Sequence, residues 1–299
     1  MRVTGRRTLV IGSRGSRLAV AQAEIVASML KAAGVSSIER RTITTSGDRS
    51  DRPIAGDGAF VKEIQQLLLS GEIDCGVHSA KDLPTESPEG IRIAAIPPRG
   101  DVRDVLVGGS IAGLPDGARV GTASPRRSAY IRRLRPTLIP VPIRGNVPTR
   151  IERIRTGDVD AVMLAAAGLL RLGIPLPQEV FDPLVVLPPP GQGAIAIETR
   201  NHDDATGAIL APIDDPDTHA AVEAERAVLR TMGGGCFIRL GAYARIEHGE
   251  LRVDAAVLSA DGSRAVHART LGDPADAPEL ARRVAHDLIR AGGKQLLDE

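Results

Sequence analysis

The chain has 299 residues, 42% of them apolar and 25% charged, with 38 lysines and arginines set against 37 aspartates and glutamates. That length can bury a large core and has room for about two or three domains, while near-neutral charge, 2% aromatics and no tryptophan argue against a nucleic-acid surface built on stacking platforms. The basic segment Met1 to Thr8 lacks the apolar run of a secretory signal, and the longest nearly apolar run, Ala161 to Leu170, is too short for a bilayer, so a cytoplasmic protein without a membrane partner is expected.

Thr8-Leu9-Val10-Ile11 reads as a strand, and Gly12 to Arg17 as the turn into a helix from about Leu18 to Ala33, closed by Gly34. Ser13 or Ser16 can cap that helix. Arg14 and Arg17 sit at its positive end, a conflict that a bound anion resolves. Ser37 to Thr45 alternates as a strand does. Ser46 to Ala59 is a polar, glycine-rich loop, of a composition shared by mobile lids and inert surface loops. Phe60 to Leu69 has helical periodicity. Asp74-Cys75-Gly76-Val77-His78-Ser79-Ala80-Lys81-Asp82-Leu83-Pro84 then begins as a buried strand and ends in a Lys-Asp pair, which is how an α/β sheet delivers polar groups to its carboxyl edge. Ile91 to Ile96 is a further strand, stopped by Pro97-Pro98.

From Asp104 the pattern restarts. Val105 to Gly108 is a strand, and Arg119 to Thr122 leads into Ala123-Ser124-Pro125-Arg126-Arg127, with Ser124 as N-cap and Pro125 as the first helical residue. Leu138 to Ile143 continues into Arg144-Gly145-Asn146, with Arg150 in the first turn of the next helix. Asp160 to Leu164 is a buried strand, and Arg171 follows. Val185 to Ile197, rich in proline, looks like a return to the first lobe. Beyond Pro212 come a helix from Thr218 to Met232, then Gly233-Gly234-Gly235-Cys236, strands near Ala242 to Ala244, Leu251 to Leu258 and Ala265 to Thr270, and a helix from Glu279 to Ala291.

Almost all the cations are arginines, the residue for bidentate grip on carboxylate or phosphate. Arg14, Lys81, Arg126, Arg127, Arg144 and Arg150 recur where strands give way to helices, which describes a cleft between two lobes lined by guanidinium groups and helix N-termini. The two cysteines, Cys75 and Cys236, have no ligand-like spacing and the six histidines are scattered, so no metal is expected. A lone cysteine is more often a small buried hydrophobe than a reactive one, and Cys75 keeps that reading, as does His78 beside it. The glycines before Cys236 give its backbone the freedom for a close approach.

Val77 to Pro84, Gly121 to Arg127, Arg144-Gly145-Asn146, Thr149-Arg150, Gly191-Gln192-Gly193-Ala194 and Gly234-Gly235-Cys236, in this order, resemble the hydroxymethylbilane synthase, or porphobilinogen deaminase, family. The resemblance runs from Ile11 to about Ala244. It implies an α/β protein of three domains, two periplasmic-binding-protein-like lobes flanking a cleft and a small C-terminal domain carrying a cofactor cysteine. The boundaries expected are 1–97 with 194–212, 98–193, and 213–299. The implied activity is head-to-tail condensation of four porphobilinogen molecules with loss of ammonia, then hydrolytic release of hydroxymethylbilane, by a monomer whose partner is this small molecule.

The same resemblance implies a dipyrromethane cofactor on Cys236. It makes Asp82 the catalytic aspartate and Lys81 its neighbour beside the cofactor. Ser124, Arg126, Arg127, Arg144, Asn146 and Arg150 become cofactor-binding, and Arg14, Ser16, Arg144, Arg150, Arg171 and Gln192 substrate-binding. Two positions depart from the family pattern: Asp57, where many members have lysine, and Arg239, where many have proline. The competing reading is a non-enzymatic two-lobed binding protein for a small dicarboxylate or phosphate, which leaves Cys236 and the third domain unexplained.

Overall fold

The computed structural model describes residues 8–45, 61–235 and 238–299. Both expectations for the loop at 46–59, including Asp57, and that for Cys236 fall outside the described residues. The chain separates into two compact units, one formed by the chain up to Arg99 together with Ala194–His219, the other by Gly100–Gly193 with Ala220–Glu299.

The first unit is built on a five-stranded sheet in the order β2-β1-β3-β10-β4. Strands β1 (Leu9–Arg14), β2 (Ile38–Ile43) and β3 (Cys75–Ser79) are parallel. Strand β10 (Ile195–Arg200) enters from far along the sequence and runs antiparallel to both β3 and β4 (Ile91–Ala95). Helix α1 (Arg17–Ala32) lays Ala23, Val26, Ala27 and Leu30 on the sheet. Val26 and Leu30, both fully buried, contribute about 1.5–3 kcal/mol each, so truncating Leu30 would loosen this face first. Helix α2 (Lys62–Leu69) packs Ile64 and Leu68 against Ile43, Ile73 and Ile91. Sandwiching the sheet between helices makes β3 a strand buried on both faces, so its polar residues can surface only at its end.

The second unit repeats the arrangement. Its sheet has the order β7-β6-β8-β5-β9, with β6 (Arg119–Gly121) parallel to β7 (Ile139–Val141) and β8 (Ala161–Ala165). Strand β5 (Asp104–Val107) is antiparallel to β8 and to β9 (Glu179–Val180). Helices α3 (Pro125–Leu134), α4 (Val147–Arg155) and α5 (Ala166–Arg171) follow β6, β7 and β8. In each sheet the antiparallel place beside the third parallel strand is filled across the chain's crossing, by β10 in one and β5 in the other.

A third sheet, the antiparallel meander β11 (Leu240–Glu247), β12 (Glu250–Leu258) and β13 (Ala265–Gly272), belongs to the second unit. Helix α6 (Asp204–Leu210) precedes it in the first unit. Alanines and leucines of α7 (Pro216–Thr231), α8 (Ala277–Arg290) and α9 (Gly293–Asp298) cover the meander. Ala256 and Leu258 of β12 also join the core built around Tyr130, Ile131 and Leu187, and Arg132 and Arg133 of α3 donate to the carbonyls of Ala260 and Gly262 in the β12–β13 turn. Arg239, one of the departures from the family pattern, donates to Leu258 O and to the carbonyls of Leu296 and Leu297. It caps the C-terminal turn of α9, a structural use for a cation at that end of a helix.

Candidate active site

Strand β3 ends at Ser79 and the chain tightens into a single 3₁₀ turn, Ala80–Asp82. Ala80 stays buried and its N–H donates to Ala194 O at 3.1 Å, which leaves Lys81 and Asp82 half-buried at the carboxyl edge of the sheet. Asp82, Ser79 and Val77 share one pocket with Arg14, Ser16 and Gln22. Arg14 is the last residue of β1, and Ser16 is the N-cap of α1, its hydroxyl accepting from Ala19 N at 3.2 Å. Of the two serines open to capping from the sequence, Ser16 does it. Gln22, buried on α1, donates its amide to Ser79 Oγ at 2.8 Å and pins the strand end that presents Asp82. Sequence reasoning passed over Gln22 and had a signal available: it is a polar residue on the apolar face of α1.

In the second unit Ser124 caps α3 and Asn146 caps α4, the amide oxygen of Asn146 accepting from Thr149 N at 3.0 Å and from its hydroxyl at 2.8 Å. Gly145, at φ 104°, makes the turn into α4 where a Cβ would strike Thr149 at 2.7 Å, and Arg150 Nε donates back to Gly145 O at 2.8 Å. Arg144 beside it is exposed. No acidic residue occupies the first turn of α1, α3 or α4, so three helix N-termini keep their affinity for an anion.

Arg126 and Arg127, expected to line a cleft, are 1% and 7% exposed. Both are drawn into the core by Asp104 at the start of β5. Arg126 Nη2 lies 2.5 Å from one carboxylate oxygen, and Arg127 Nη2 and Nε lie 2.7 and 3.1 Å from the other. Arg126 also donates to Leu187 O at 2.6 Å and lies over the Tyr130 ring, with 5.7 Å to its centroid. Gln192, fully buried, donates to Asp104 at 2.9 Å and to Val102 O at 2.8 Å while accepting from Arg127. Burial alone would raise the Asp104 pKa, but the charges and hydrogen bonds of the two arginines outweigh it and hold the carboxyl well below the usual range.

Arg171 ends α5 with its Nη2 on Gly193 O at 2.6 Å. Burial brings its pKa down to about 10, and among the described residues no carboxylate pairs with it. A desolvated guanidinium without a counter-charge is a ready seat for a carboxylate. Cys75 is inert by contrast: burial, reinforced by Asp74, pushes its thiol up to about 12.

In the first unit an aspartate at a sheet edge shares a pocket with an arginine and a helix N-terminus, and the second unit separately carries arginines and helix N-termini without first-turn acids, a set of groups suited to an α/β enzyme of small acidic molecules. The chain belongs to the porphobilinogen deaminase family. Residues 9–208 match its "dipyromethane cofactor binding domain" and residues 219–290 its C-terminal domain. The chain is 49% identical to the porphobilinogen deaminase of Acidothermus cellulolyticus over 97% of its own length and 91% of the relative's, and 45% identical to that of Thermus thermophilus over 97% and 98%. A weaker likeness is to the Bordetella pertussis BvgS VFT2 domain, at 16% identity and a TM-score of 0.42, covering 74% of this chain and 90% of that one.

Membership makes the chain a transferase of tetrapyrrole biosynthesis, a hydroxymethylbilane synthase that works with dipyrromethane, and leaves the non-enzymatic binding protein the weaker reading. The donors present suit that cofactor: its acidic side chains call for cations and N–H groups, which Arg171 and the capped helix ends supply.

Proposed function

We propose that Asp82 is the reacting carboxylate of this synthase and that dipyrromethane is held by a thioether to Cys236. What supports the Asp82 role is its sharing of one pocket with Arg14 and Ser16, so that a carboxylate for a developing cation stands beside donors for an acidic substrate. Porphobilinogen carries an acetate and a propionate, and Arg14 with the Ser16 end of α1 takes one of them. When the C–N bond breaks and ammonia leaves with the electron pair, the remaining methylene carries positive charge, which Asp82 stabilises. Carbon–carbon bond formation then expels the α-hydrogen of the attacking pyrrole as a proton, for which Asp82 is the acceptor. Dipyrromethane, when bound, supplies the pyrrole end to which units are added.

Lys81 pairs with a carboxylate on the cofactor side. Arg144, Asn146, Arg150, Arg171 and Ser124 hold cofactor and growing-chain carboxylates. Arg126, Arg127 and Gln192 act on the cofactor from the core: two guanidinium charges against one carboxylate leave a net positive field there. The protein acts as a cytoplasmic monomer on a small molecule, without nucleic-acid or membrane partner; no helix among the described residues is long and apolar enough to cross a membrane.

Asp82→Ala tests the central assignment. Product formation from porphobilinogen should vanish while the fold is retained, and near-normal turnover would refute the role. Intact mass tests the attachment: an excess equal to two linked pyrrole units in the parent should be absent from Cys236→Ser.

A further inference from the structure

Between β9 and β10 the strap from Pro188 to Gly193 forms neither helix nor strand, and side chains fix its place in the second unit. Pro188, Pro189 and Pro190 have no N–H to give, so the first backbone donor of the strap is that of Gly191. It donates to Glu225 of α7, whose Oε2 lies 2.7 Å from Gly191 N while its Oε1 accepts from Ala244 N of β11 at 2.8 Å. Glu225 has no exposed surface. One buried carboxyl group thus bridges the strap to the third sheet. Ala242 N adds a second tie, to Pro188 O at 2.9 Å, and Gly241 permits the approach, since a Cβ there would strike Leu187 O at 2.6 Å.

The two residues after Gly191 reach the other groups of the unit. Gln192 donates to Asp104 and to Val102 O and accepts from Arg127. Gly193 O accepts from Arg171 Nη2 at 2.6 Å and from Gly100 N at 3.0 Å. Consecutive residues therefore meet Glu225 of α7, the Arg127 and Asp104 pair, and Arg171 at the end of α5. The shape that allows this is a tight turn, with Gln192 N on Pro189 O at 3.1 Å and φ of 76° and 84° at Gly191 and Gly193. Glycine adopts such φ values without strain, and a Cβ on Gly193 would also strike Gly100 O at 2.6 Å.

We propose that Glu225 is a positioning residue for the reaction: by tying Gly191 to the third sheet it fixes the Gly193 carbonyl two residues on, and that carbonyl aims the Arg171 guanidinium. This rests on Arg171 as a seat for the carboxylates of substrate and growing chain. A guanidinium is a planar, rigid fork, so moving the acceptor of one N–H turns the others with it. A misplacement of about 1 Å, made far from the reacting atoms, is enough to be felt in turnover. Glu225 itself touches neither substrate nor cofactor in this role and moves no proton.

Three measurements test it. By amide hydrogen exchange on the parent holoenzyme, the N–H groups of Gly191 and Ala244, which share one acceptor, should both be protected; fast exchange at Gly191 overturns the proposal. Glu225→Gln keeps the volume but has one oxygen in place of two, so it holds only one of the two donors. In preparations whose intact mass shows the cofactor in place, its KM for porphobilinogen should rise about fivefold to tenfold with kcat little changed. A KM that stays in place while the rate falls with the folded fraction marks a merely structural tie and overturns the proposal.

In the Arg171→Gln background the same change should raise KM by less than about twofold, because the group it aims is gone; effects that multiply in full also overturn it. If Glu225→Gln does not fold, Glu225→Asp, whose shorter side chain cannot span both donors, takes its place in both comparisons. A normal KM in Arg171→Gln would remove Arg171 from the site and the proposal with it, whereas a raised KM there beside a normal one in Glu225→Gln overturns the proposal alone.

Discussion

Two aspartates at the ends of strands show how the same side chain is put to opposite uses. Asp82 follows β3, half-buried in a pocket that gives it Arg14 as a neighbour, and stays open to a substrate. Asp104 opens β5 with no exposed surface, gripped by two arginines and a glutamine. A carboxylate whose lone pairs are saturated fixes a structure, and one that keeps room beside it is available to chemistry. Both lie within short motifs rich in charge, so only their surroundings separate them.

The contrast is broken most directly by exchanging the consequences of loss. Asp82→Ala should lower turnover by about 10³-fold or more with little change in thermal stability, read from initial rates and a melting curve together. Asp104→Ala should do the reverse first: two buried guanidinium groups without a counter-charge cost about 3–5 kcal/mol, a fall in Tm on the order of 10 °C. A stable Asp104→Ala protein would show that its arginines have another anion.

Arg171→Gln asks whether the desolvated guanidinium of the second unit holds a carboxylate. Losing a charged hydrogen bond worth about 1.5–3 kcal/mol should raise KM or weaken cofactor retention by tenfold to a hundredfold, and unchanged values for both would remove Arg171 from the site.

Acid titration sharpens the comparison further. Because the folded Asp104 carboxyl titrates below the usual range, its contribution is complete above the unfolded value of about 3.9 and is lost as pH falls toward the folded value. The acid unfolding curve of Asp104→Asn, followed by circular dichroism, should therefore depend less steeply on pH below about 4 than that of the parent. The smallest effect expected is at the helix caps: Ser124→Ala should cost about 1 kcal/mol in denaturant unfolding.

Much of the fold was legible because its signals are local. The alternation of apolar strands with capped helices placed β1, β3, β6 and β8 and the N-cap Ser124, since periodicity, Pro125 and the polar cap act within a few residues. The short strand β9 and the helices α6 and α9 went unread, their segments being too brief to show a period. At the site, Asp82, Arg14 and Ser16 could be nominated from one stretch of chain each, and the fold puts them in one pocket.

What the amino-acid sequence determined by itself was the family, the order of the elements and the residue types at strand ends. Those are written in contiguous motifs and in the turn chemistry of each segment. Tertiary structure alone decided which arginines are spoken for. Arg126 and Asp104 are 22 positions apart, and Gln192 and Asp104 88. Whether a guanidinium faces a carboxylate or water depends on which distant strand the sheet sets beside it, and no local pattern carries that information.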